Sequence, residues 1–79
     1  MEDTQLFYLI GQRIKHFREE KKLSQLEFST LCDIEKTNLS RIEVGKTNLT
    51  LKSLYKISQS LKVRLSDIVD VEELDFKEY

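Results

Sequence analysis

The stretch LSQLEFSTLCDIEKTNLSRIEVGK, Leu23 to Lys46, decides the fold, because it reads as two short helices joined by a tight turn. Ser24 followed three residues later by Glu27 is a capping box: the hydroxyl takes the N–H of residue 27 while the carboxylate reaches back to the N–H of residue 24. A helix therefore starts there. Phe28, Leu31 and Cys32 recur at helical spacing and give it one apolar face. Asp33, a short polar residue that tolerates a left-handed backbone, stops it near Cys32.

The second helix restarts at once. At 100° per residue, Leu39 and Ile42 of the segment 36–44 fall on one side, with Glu43 flanking them. Thr37, Ser40, Arg41 and Val44 fall on the other, with Lys36 at the edge of the first turn. Gly45 is the expected C-terminal stop, and Lys46 sits just beyond it. A helix of about nine residues that buries two aliphatics and points hydrogen-bonding groups outward has the shape that enters the DNA major groove, which is ~12 Å wide.

These residues carry a resemblance. Leu23-Ser24-Gln25, apolar Phe28, small Ser29, Ile34, Leu39-Ser40-Arg41-Ile42-Glu43 and Gly45-Lys46 resemble the helix-turn-helix family of the phage repressor and Cro proteins, the XRE family, from about residue 10 to residue 68. The resemblance implies an all-α fold, a compact bundle of five short helices like the lambda repressor DNA-binding domain. Residues 1–79 are then one domain, with a core at 10–68 and an acidic tail at 70–79. It also implies a transcriptional regulator that binds a palindromic double-stranded operator as a homodimer, with its third helix in the major groove. The segment IEKTNLS, with Thr47-Asn48-Leu49-Thr50 after it, further resembles the controller proteins of restriction-modification systems.

The candidate DNA-binding residues follow from both readings. Gln25 opens the second helix, where free N–H groups and the positive end of the helix dipole can hold a phosphate; taken alone it is an ordinary first-turn residue, and the family gives it a phosphate contact and sometimes a base contact. Lys36, Thr37, Ser40 and Arg41 face outward from the third helix, with Asn38 at the flank. Taken alone they are solvent cover. Within the motif, Lys and Arg can donate to guanine O6 and N7, and a Thr methyl can rest on a thymine methyl. Lys46, Thr47 and Asn48 form a loop that in the family runs along the sugar-phosphate backbone, where contacts position the protein without reading sequence. The family also pairs an arginine at the position of Arg18 with the glutamate at the position of Glu43. Three residues depart from its pattern: Asp33 where Gly is usual, Glu35 where a small polar cap is usual, and apolar Leu26 at a polar position.

Outward from this centre, Leu6, Ile10, Ile14 and Phe17 predict a first helix over about residues 4–22, capped by Asp3 or Thr4. His16 falls on its exposed side, and Phe7, Tyr8 and Leu9 read as exposed apolar residues. Thr50 caps a fourth helix striped by Leu51, Leu54, Ile57 and Leu61, with Lys62 where the family often ends in Gly. Residues 65–71 predict a fifth helix capped by Ser66, with Ile68 and Val69 inward. The remaining EELDFKEY is acidic.

The formal net charge of −1 hides an asymmetry. Residues 1–64 carry 12 Lys and Arg against 8 Asp and Glu, whereas residues 65–79 carry Lys77 against six acids. A basic body with an acidic tail retains the footprint of a nucleic-acid binder. With 79 residues and 39% apolar content, one small core is expected, and dimerisation would add burial. The late apolar residues Leu61, Val63, Leu65, Ile68, Val69, Val71, Leu74 and Phe76 exceed what one short helix can place against its own core, so some are expected to meet a partner. A single cysteine forms no internal disulfide, and no metal or cofactor spacing occurs. No Ser/His/acid set or nucleotide-binding Gly loop occurs either, so an enzyme is not expected. The acidic start has too short an apolar run for a signal peptide or a membrane span, which points to the cytoplasm. The alternative from another class is an antitoxin masking a toxin partner, suggested by Phe7, Tyr8, Leu9 and the acidic tail.

Overall fold

The computed structural model describes residues 1–76, and the last three residues of the acidic tail, 77–79, lie outside that range. Five α-helices follow one another: α1 (Asp3–Glu20), α2 (Gln25–Cys32), α3 (Lys36–Glu43), α4 (Leu51–Leu61) and α5 (Leu65–Ile68), then a 3-10 turn over Glu73–Phe76. Ile14, Phe28, Cys32, Leu39, Ile42, Leu54, Ile57, Leu61 and Ile68 form one buried cluster, and Ile10, Phe17, Leu23, Ile34, Leu49, Val63 and Leu65 close its edges. Burial of apolar side chains from all five helices is what holds these short elements, since helices of eight residues are marginal alone.

The helix starts follow local chemistry. Ser24 Oγ accepts the Glu27 N–H at 3.0 Å, and Glu27 Oε1 accepts the Ser24 N–H at 2.8 Å, so the capping box forms as read. Hydrogen bonds to the carboxylate from the Ser24 N–H and the Ser24 hydroxyl hold the Glu27 carboxyl below its usual range. Thr50 Oγ1 accepts the Ser53 N–H at 3.1 Å and caps α4. Cys32 is buried, and burial pushes its thiol up, which leaves it a core side chain.

The helix ends share one device. α1 to α4 each close through a left-handed residue, Lys22, Asp33, Gly45 and Lys62, at φ of 58°, 57°, 81° and 58°. Each is followed by a residue whose N–H reaches five positions back, as Ile34 to Ser29 O at 2.9 Å and Lys46 to Arg41 O at 2.9 Å. Only Gly45 adopts that conformation without steric cost. A left-handed β-carbon costs ~1 to 2 kcal/mol, and glycine gives back part of that through its freer unfolded chain. Lys62→Gly is therefore expected to stabilise the fold by roughly 0.5 to 1 kcal/mol and to raise Tm by a few degrees in a thermal melt. Asp33→Gly should gain less, because Asp tolerates this region better than Lys.

Several expectations are corrected. Leu31 is 61% exposed and Leu51 68% exposed, because α2 turns Phe28, Ser29 and Cys32 to the core and α4 turns Leu54, Ile57, Ser58 and Leu61. The first helix starts at Asp3 after Glu2, whose N–H donates to Gln5 Oε1 at 3.0 Å, so neither Asp3 nor Thr4 is the cap. Leu9 is buried and Phe7 half-buried, which leaves only Tyr8 of that apolar triplet exposed. The fifth helix spans four residues, not seven. Its cap is Arg64 rather than Ser66, because Asp67 Oδ2 takes the Arg64 N–H at 3.0 Å. Ile68 is buried as expected, but Val69 is the C-cap and is exposed. Arg13 fixes this short helix from α1: Nη2 and Nε donate to Asp67 O at 2.6 and 3.0 Å, with the guanidinium over the Phe17 ring. No helix is long and apolar enough to cross a membrane among the described residues.

Candidate nucleic-acid interface

The helix α3 rests on α1 through its C-terminal half. Glu43 is 1% exposed, deeper than a flanking position implies. Its carboxylate is met by Arg18, whose Nε donates to Oε2 at 2.7 Å and whose Nη2 donates to Oε1 at 3.0 Å, the bidentate geometry that suits this pair. The third arm of the guanidinium donates to Leu23 O at 2.7 Å, tying in the α1–α2 connection. Hydrogen bonding to Glu43 raises the Arg18 pKa above its ordinary value, against an opposing effect of burial. Gln12 Nε2 donates to Glu43 O at 3.2 Å, a backbone acceptor near the end of α3. No buried side-chain nitrogen or oxygen among the described residues lacks a hydrogen-bond partner.

Gln25 is drawn into this network. Its Nε2 donates to Glu43 Oε1 at 3.0 Å, so the amide of the first α2 residue is oriented by the back of α3. The second Nε2 hydrogen remains for another acceptor. The Gln25 and Leu26 N–H groups precede the first backbone bond of α2, Phe28 N–H to Ser24 O at 2.9 Å.

The outer surface of α3 is different in kind. Lys36, Thr37, Asn38 and Arg41 are exposed and Ser40 half-buried, and among the described residues Lys36 and Arg41 form no ion pair. Asn38 and Arg41 share one open groove with the loop residues Lys46, Thr47 and Asn48, and its other walls include Asp33, Glu35 and Ser53. Lys36, Thr37 and Ser40 lie off that groove, further around α3. The structure thus brings together eight of the nine candidates on α3 and the loop behind it, while Gln25 stands apart at the start of α2, joined to α3 through Glu43. Sequence reading passed over Ser53, which lines the groove, and exposed Lys52 beside it in the first turn of α4. The signal was present: both follow the Thr50 cap, at the end of a helix that favours anions.

Two short helices across a left-handed corner, the second turning a cationic hydrogen-bonding face to solvent, define a helix-turn-helix unit of the kind found in DNA-binding transcription regulators. The helix-turn-helix family pattern matches residues 14–68. The chain belongs to this family, in its XRE-type branch. It is similar to the control protein C.MunI of Mycoplasma sp, 42% identical over 65 residues that cover 80% of this chain and 88% of that protein. It is also similar to the control protein C.BamHI of Bacillus amyloliquefaciens, 36% identical over 63 residues covering 78% of each chain. Among solved structures it is similar to SinR, a master regulator for biofilm formation crystallised in complex with DNA, at 39% identity and a TM-score of 0.73 over 77% of this chain and 98% of that one.

Proposed function

We propose that residues 1–79 act as one DNA-reading domain of a transcriptional regulator with a controller role, binding a palindromic operator as a homodimer with α3 in the major groove. The observation that carries this reading is the contrast in cation use. Arg13 and Arg18 are committed to internal acceptors, whereas Lys36, Arg41 and Lys46 are exposed and form no ion pair among the described residues. Lys36, Thr37, Asn38, Ser40 and Arg41 are then the base-facing set. Gln25, through its remaining amide hydrogen and the free N–H groups beside it, and Lys46, Thr47 and Asn48 hold phosphates. The controller role is supported by likeness across most of the length of C.MunI and C.BamHI. The antitoxin alternative loses much of its motive, because Leu9 is buried and Phe7 half-buried.

Arg41→Ala is expected to weaken operator binding by about 1 to 3 kcal/mol and to relax preference at one position of each half-site. Titration against specific and scrambled duplexes reads this directly. An unchanged ratio of the two affinities would remove Arg41 from the reading set.

One reading helix spans too few base pairs to select a genomic site, whereas two related by a dyad read half-sites ~34 Å apart. Of the late apolar residues, Leu61 and Ile68 fill the core, Val69 and Leu74 are exposed, and Val63, Leu65 and Val71 are half-buried. The side chain of Phe76 lies outside the described set. A dimer through α4, α5 and the chain end would cover these, together with exposed Leu51 and Tyr55. Sedimentation over a concentration series is expected to show a monomer–dimer equilibrium, with a palindrome bound more tightly than a half-site. A chain that stays monomeric at high micromolar concentration and gains nothing from the palindrome would overturn the dimer.

A further inference from the structure

Glu35 is the carboxylate residue at the N-cap of the candidate reading helix, and its side chain makes no capping hydrogen bond there. Its backbone is extended, at φ −66° and ψ 142°, and its carboxylate accepts no N–H from the first turn of α3. It forms no ion pair with Lys36, Arg41 or any other described residue. It is exposed, and it shares a groove wall with Asn38 and Arg41. A free negative charge on a surface that meets a polyanion only repels, unless the polyanion offers it a donor at that point.

The major groove offers few such donors. Guanine presents N7 and O6, and thymine O4, all acceptors that a carboxylate rejects; adenine presents its amino group beside the N7 acceptor; cytosine presents its N4 amino group alone. Resting on the proposed DNA-reading role of α3, we infer that Glu35 is a specificity-determining residue that accepts a hydrogen bond from one cytosine N4 in each half-site. The same charge penalises guanine and thymine there, meets adenine's N7 beside its amino group, and lowers affinity for unrelated duplex, so the residue selects partly by exclusion.

Enrichment of random-sequence duplexes by the 79-residue chain, and by its Glu35→Ala and Glu35→Gln variants, tests this, with a thermal melt of each variant alongside. The unaltered chain should hold cytosine at one column of each half-site by roughly five- to hundredfold over other bases, the range of one good base contact. Glu35→Ala should flatten that column, leave the others, and strengthen binding to unrelated duplex. Glu35→Gln should move the preference toward adenine, whose N6 and N7 an amide can meet together. A purely structural cap would not produce that switch. If the unaltered chain enriches a site and both variants enrich the same site with every column unchanged, the role of Glu35 is overturned alone. If it enriches no sequence, the DNA-reading role of α3 falls with it.

Discussion

Arg18→Met is expected to cost the fold about 3 to 5 kcal/mol, because it strands a buried carboxylate. The side chains of Arg18 and Glu43 are 9% and 2% exposed, so water cannot replace the lost partner. Among the described residues Gln25 would be the remaining side-chain donor to Glu43, and the Leu23 carbonyl would lose the third guanidinium arm. At ~0.05 to 0.15 kcal/mol per residue a chain of this size has a total stability of only about 4 to 12 kcal/mol, so the variant should lose a large share of it. Urea unfolding with the double variant Arg18→Met/Glu43→Leu decides the matter. The double variant should recover much of the loss, since replacing both partners removes the uncompensated charge. An Arg18→Met loss under about 1 kcal/mol would mean that the pair behaves as a solvated surface contact.

That pair marks where sequence reading worked and where it ran out. The Ser24–Glu27 box, the Asp33 corner, the Gly45 stop and the Thr50 cap were legible because each is a local event between residues at most five apart. The pairing of Arg18 with Glu43 was legible only through the family resemblance, as no local rule joins residues 25 positions apart. Leu31, Leu51 and Val69 were misplaced because the face a helix buries is chosen by its neighbours. On α4, Leu51 lies at one margin of a stripe that Leu54, Ile57, Ser58 and Leu61 fill completely. The fifth helix was drawn too long and capped two residues late. There the backbone–side-chain bond from Arg64 to Asp67 outweighed the hydroxyl of Ser66, and Arg13, from a distant helix, supplied donors to a helix end that no periodicity reveals. The outward face of α3 was legible as a set of residue types on one side of a helical wheel, whereas the anchoring of Gln25 by Glu43 was not.

Gly11→Ala is expected to destabilise the protein in spite of a better helix former at that position. In an ordinary helix interior this change gains ~1 kcal/mol. Here the added Cβ would collide with Ile42 O, with Glu43 O and C only 2.8 and 2.9 Å away, all of them backbone atoms that cannot rotate aside. Helix α1 must therefore lift from the end of α3, which stretches the Gln12 bond to Glu43 O and the Arg18 fork together, because Gly11, Ile14 and Arg18 share one face at spacings of three and four. The chain's other glycine sits at the same contact from the opposite side: Gly45, at φ 81°, has Tyr8 N and Cα at 2.7 and 2.6 Å from where its Cβ would be. Both glycines of the sequence are thus spent on bringing α1 and α3 into backbone contact. Overpacking against rigid backbone should outweigh the propensity gain, giving a net loss on the order of 3 kcal/mol and a fall in Tm of roughly 10 to 20 °C. A melt of Gly11→Ala that equals or exceeds the unaltered protein would mean that α1 does not touch the α3 carbonyls.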